Sequence, residues 1–131
     1  MSDLFKKGIE VRSEVLGAEY VERSLKQADP FMAEFQRFVT EFVWGSVWAR
    51  DGLSRKIRSM LNIAMLTGLN RQNELKLHLQ AALKNGVSPD EIKEILLQSA
   101  VYAGVPAAFD SFLIARDVIA SHQPAAGDNN P

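Results

Sequence analysis

The chain has 131 residues, 47% of them apolar and 24% charged, with a net charge of −1; this suits one compact domain and offers no overall field for nucleic acid or an anionic membrane. It has no cysteine and two histidines, which excludes disulfides, thiolate nucleophiles and Cys-ligated metals and argues against a His-rich metal site. Residues Met1 to Lys7 lack the apolar core of a signal peptide, and the most apolar stretch, Met60 to Leu69, is interrupted by Asn62 and Thr67 and is shorter than the about 20 residues a membrane span needs; the expected location is the cytoplasm.

Helical spacing runs through the chain. Leu4, Gly8, Val11 and Val15 share one face of a first helix, which Gly17 ends. A weaker helical piece covers Glu19 to Gln27. Asp29 is an N-cap with Pro30 at the first helical position. Phe31, Phe35, Phe38, Val39 and Phe42 then form an aromatic stripe that reads as core. The period breaks from Trp44 to Gly52. Ser54 caps a helix running to about Leu69, basic at its start and apolar nearly all round afterwards, as a helix buried on most sides would be. Asn70 opens the next helix, Arg71 to Lys84, which Asn85-Gly86 closes with a left-handed cap. Ser88-Pro89-Asp90-Glu91 has the capping-box pattern. Its helix carries Ile92, Ile95, Leu96, Ser99, Ala100 and Ala103 on one face. Gly104-Val105-Pro106 breaks the chain before a last helix presenting Phe109, Phe112, Leu113, Arg116 and Ile119. No period-two strand pattern is present. The expected fold is all-α, one compact helical domain over residues 1–122 followed by a flexible tail over 123–131. So many helices in so short a chain leave apolar surface that a monomer does not cover, so a homo-oligomer is expected.

Chemistry concentrates on one helix. Arg71, Glu74 and His78 fall on a line along it. His78 lies between Leu75 and Ala82, astride the polar line and the apolar face, where a pocket-lining side chain points. Glu74, one turn away, is expected to orient the imidazole and raise its pKa. The plainer reading of His78 is a hydrogen-bonded core or interface residue. His122, beside the tail, favours a helix C-terminus and carries little functional weight. Between Arg50 and Arg71 the basic residues Arg50, Arg55, Lys56, Arg58 and Arg71 face a single acid, Asp51. Guanidinium groups bind carboxylates in bidentate fashion, so a small dianion suits this run, as does a solvated helical turn with salt bridges.

Several stretches carry a resemblance: Val11-Arg12-Ser13-Glu14-Val15-Leu16-Gly17, Phe42-Val43-Trp44-Gly45-Ser46-Val47-Trp48, Leu53-Ser54-Arg55-Lys56-Ile57-Arg58-Ser59, Leu69-Asn70-Arg71-Gln72-Asn73-Glu74-Leu75-Lys76-Leu77-His78 and Tyr102-Ala103-Gly104-Val105-Pro106. Over roughly residues 8–119, in one register, the chain resembles the γ-carboxymuconolactone decarboxylase family of the alkylhydroperoxidase-like superfamily. Peroxidase members of that superfamily have a Cys-x-x-Cys-x-x-x-His site. Here the two Cys positions hold Arg71 and Glu74 ahead of His78, so thiol peroxidase chemistry is excluded.

The resemblance implies a helical, ring-like homohexamer and a small dicarboxylate lactone substrate, 4-carboxymuconolactone, in protocatechuate catabolism. Loss of CO₂ sends electrons through the ring double bond onto the lactone carbonyl, and protonation of the dienolate gives 3-oxoadipate enol-lactone. The substrate is its own electron sink, so neither a cofactor nor a metal is implied. In this reading His78 is the general acid or the donor at the lactone oxygen, and Glu74 orients it. Arg58 and Arg71, with Arg50 and Arg55 behind them, hold the carboxylates, and Trp44, Trp48 and Tyr102 wall the pocket or pack the core. Alternatives are a same-fold enzyme acting on another lactone or carboxylate, a non-catalytic helical assembly protein, and a helix-turn-helix regulator, which the near-neutral charge opposes.

Overall fold

The computed structural model describes residues 2–122, so the tail expected over 123–131 lies outside the described residues. Among the described residues every regular element is helical: α1 (Asp3–Leu16), α2 (Ala18–Gln27), α3 (Pro30–Phe38), a π-helical segment (Val39–Trp48), α4 (Arg55–Gly68), α5 (Gln72–Lys84), α6 (Pro89–Ala103) and α7 (Val105–His122). The chain divides into two compact units that meet in sequence between Arg58 and Ser59.

Local chemistry sets most boundaries. The side chains of Ser2, Asp29 and Ser54 accept hydrogen bonds from the amides of Phe5, Met32 and Ile57 at 2.9–3.1 Å. Ser88 and Glu91 form a complete capping box, with Glu91 N to Ser88 Oγ at 3.0 Å and Ser88 N to Glu91 Oε1 at 2.9 Å. Each such cap stabilises its helix by about 1 kcal/mol. Gly86 and Gly104 follow the ends of α5 and α6 at φ 96° and 109°, a region that L side chains rarely adopt. Asn70 does not open α5 as a cap. It takes φ 57°, a left-handed turn that Asn tolerates, and the helix begins at Gln72.

In the first unit α1 packs along the π-helical segment. Gly8 makes this approach possible, because a Cβ there would collide with the Thr40 carbonyl oxygen; at Gly45 a Cβ would come within 2.7 Å of the Leu4 carbonyl oxygen. Buried Arg12 ties α1 across to its neighbours, donating from Nη1 to Gln36 Oε1 at 3.0 Å and Thr40 Oγ1 at 3.2 Å. The break expected from Trp44 to Gly52 starts only after Trp48, and the chain before it is π-helical from Val39. The Ala49 amide reaches back five residues to the Trp44 carbonyl at 3.1 Å, and the helix continues to Trp48.

The second unit has its core in Ile63, Leu75, Leu79, Ala82, Val87, Ile92, Leu96, Ala115 and Val118, contributed by α4 to α7 and, for Val87, by the connection between α5 and α6. α6 and α7 pack against each other as a helical hairpin, and α5 lies on α7, where Gln72 Nε2 donates to Asp110 Oδ2 at 3.3 Å.

Two burial expectations need correction. The aromatic stripe is not core within the chain: Phe31, Phe35, Phe38 and Phe42 are all exposed, Phe31 at 88%. α4 is likewise not covered on most sides; it buries Ser59, Ile63 and Thr67 and exposes Ile57, Leu61 and Met65. Helical spacing locates an apolar face, and nothing in that spacing says whether its cover comes from the same chain. No helix among the described residues is long and apolar enough to cross a membrane.

Candidate active site

α5 runs from an exposed, polar start into the core of the second unit. Arg71, immediately before it, and Glu74 in its first turn are exposed. From Leu75 onward the inward face is buried, through His78 and Leu79 to Ala82. His78 is only 8% exposed. Its Nδ1 lies 3.3 Å from Nδ2 of Asn62, a half-buried side chain on α4.

Burial pulls the His78 pKa from 6.5 down to about 4. The imidazole is therefore neutral at pH 7. This reverses the expectation that Glu74 would raise it. Sharing a helical line with His78 does not make Glu74 a strong partner, since its carboxylate sits in water, where charges interact weakly. Loss of water around the ring is the larger effect.

In the first unit the π-helical segment buries Trp44 and Trp48 and stacks them, ring centroids 4.8 Å apart with 26° between planes. Arg50, just beyond it, is exposed. Arg55 is engaged by Glu14 Oε1 at 3.1 Å. Arg58, in the first turn of α4, is half-buried, and its Nε is buried with no hydrogen-bond acceptor among the described residues. Tyr102, near the end of α6, is 85% exposed.

The structure thus brings Trp44 onto Trp48 and His78 onto Asn62, and leaves Arg50, Arg71, Glu74 and Tyr102 in solvent. Asn62 is the residue that the sequence reading passed over as a functional group. Its signal was its position, a carboxamide inside the apolar run from Met60 to Leu66, where a polar group needs a partner.

A cleft of about 920 Å³ in the first unit contains none of these residues; Phe5, Leu25, Glu34, Arg37 and Glu41 are among its lining. Two carboxylates against one guanidinium make it unsuited to a dianion. Among the described residues no three His, Asp or Glu side chains gather as a metal site.

The sequence match defines the class. Residues 33–117 match the model of the carboxymuconolactone decarboxylase family, and the chain belongs to that family. Two similar proteins are decarboxylases by name. One is 4-carboxymuconolactone decarboxylase of Acinetobacter baylyi, 46% identical over 114 residues, which span 87% of this chain and 85% of that protein. The other is nitrosuccinic acid decarboxylase of Metarhizium robertsii, 44% identical over 116 residues, or 88% of this chain and 81% of that protein. An uncharacterized 15.0 kDa protein of Paracoccus denitrificans is 32% identical over 82 residues, 61% of each chain.

Proposed function

We propose that the protein decarboxylates 4-carboxymuconolactone to 3-oxoadipate enol-lactone in protocatechuate catabolism. The observation that carries this reading is the 46% identity to a 4-carboxymuconolactone decarboxylase over most of both chains. The carbon that loses CO₂ is joined through the ring double bond to the lactone carbonyl. The electron pair of the broken C–C bond moves through that double bond and charge arrives on the carbonyl oxygen. A solvent-derived proton, added to the dienolate at the carbon beside the carbonyl, completes the reaction.

Of the two roles open to His78, donor at the lactone oxygen suits it better than imidazolium acid. A neutral N–H in a water-poor setting stabilises developing oxyanion charge without holding a positive charge in the core. In this reading Arg58 and Arg71 hold the two carboxylates. The buried, acceptor-less Nε of Arg58 supports its part, since such a group gains most from an incoming carboxylate. Arg50 and Arg55 stand behind them, Arg55 less available because Glu14 already occupies it. The tightest grip belongs on the acetate arm, because a clamp on the departing carboxylate would stabilise the ground state.

A second reading is favoured by the 44% identity to a nitrosuccinic acid decarboxylase. Nitrosuccinate is also a dicarboxylate, and its nitro group also accepts the electron pair that CO₂ leaves behind. Both readings use the same residues. The exposed aromatic stripe on α3 and the exposed Val101, Val105 and Phe109 support assembly as a homo-oligomer, a hexamer by family resemblance, working in the cytoplasm. The test is a spectrophotometric assay of the purified protein with each substrate. Turnover of the lactone well above that of nitrosuccinate supports the first reading; the reverse ranking supports the second.

A further inference from the structure

We propose that Asn62 is a positioning residue that donates from Nδ2 to His78 Nδ1 and so keeps the single ring proton of His78 on Nε2. The inference rests on the reading of His78 as the donor to substrate, and it adds the group that decides which ring nitrogen donates. Asn62 projects from α4 and His78 from α5, and the two polar atoms lie 3.3 Å apart.

The carboxamide nitrogen carries two hydrogens and accepts nothing, so the ring atom facing it must offer a lone pair. A neutral imidazole has one N–H, which is then on Nε2, at the opposite side of the ring. Neutrality follows from burial: an imidazolium at this buried position is strongly disfavoured. The arrangement also explains the carboxamide. A half-buried Asn within the run from Met60 to Leu66 costs stability unless bonded, and the ring nitrogen supplies that bond. The ring in turn is held by a contact that does not alter its charge. Rotation of the carboxamide to face Oδ1 at the ring would call for a proton on Nδ1, and the two tautomers are spectroscopically distinct.

The test is ¹⁵N NMR of the full-length protein labelled at histidine, at pH 7 and without substrate. The chain has two histidines, so a His122→Gln background isolates His78. The wild-type ring should show a protonated Nε2 and a bare Nδ1. Asn62→Asp replaces the donor with an acceptor and should move the proton to Nδ1, with kcat falling roughly 10²-fold as the donor is misplaced and KM little changed. Asn62→Leu removes the donor without supplying an acceptor and should return the ring to a mixture of tautomers. A wild-type ring protonated on Nδ1, or ring signals identical in wild type and Asn62→Leu, overturns the assignment. The wild-type spectrum is sufficient for this if Asn62→Asp does not fold. The readout is separate from activity: an Nε2–H ring in a protein that leaves the lactone intact removes the proposed function and keeps this inference, whereas an active protein with Nδ1–H does the reverse.

Discussion

Lowering the pH from 7 to 5 should cost the protein about 2 kcal/mol of stability through His78 alone. The folded imidazole titrates at about 4 and an unfolded one at 6.5. Between those values the unfolded chain binds a proton that the folded chain refuses. Stability therefore rises with pH across this window and is lost as the pH falls from 6.5 toward 4. At about 1.4 kcal/mol per pKa unit, the gap sets a ceiling of about 3 kcal/mol, most of it reached by pH 5. Urea unfolding at pH 7 and pH 5, followed by far-UV circular dichroism at one protein concentration, reads this as a fall in midpoint of roughly 1 M. His78→Gln removes the titrating ring and should keep only the part of the pH dependence that carboxylates supply. Equal falls in wild type and His78→Gln would refute the claim that burial holds the ring neutral.

Four further outcomes are expected. His78→Ala should lower kcat by roughly 10²-fold or more in a folded protein, checked by steady-state assay beside circular dichroism. kcat/KM, which reports the free enzyme, should show no limb at pH 6.5 from His78, because that ring stays neutral down to about 4. Arg71→Ala should raise KM, whereas Arg55→Ala should change it less because Glu14 already holds that guanidinium; an unchanged KM for Arg71→Ala returns Arg71 to a solvated role. Gly8→Ala should destabilise by about 3 kcal/mol, since its methyl meets the rigid Thr40 carbonyl, and urea midpoints measure this.

What was legible in the sequence was local. The caps at Asp29, Ser54 and Ser88 and the stop at Gly86 depend on a few neighbouring residues, so spacing and residue type revealed them. The π-helical segment was not legible, because its form goes with packing against α1 at Gly8 and Gly45, far away in sequence. The phenylalanine stripe was legible as a face and not as a surface, since periodicity is the same whether the cover is this chain or another. For the site, spacing put Arg71, Glu74 and His78 on one line, yet the drop in accessibility from Glu74 to His78 within one turn reverses the electrostatic expectation. Asn62 was visible as a polar interruption, and only the approach of α4 to α5 shows what it meets.

The most direct measurement is incubation of the purified protein with 4-carboxymuconolactone in D₂O, with CO₂ and the organic product followed together. The account predicts one CO₂ per lactone consumed and an enol-lactone carrying one deuterium on the carbon beside the ring carbonyl, at a rate that collapses in His78→Ala. An intact lactone after prolonged incubation with folded protein would contradict it, as would His78→Ala turning over at the wild-type rate.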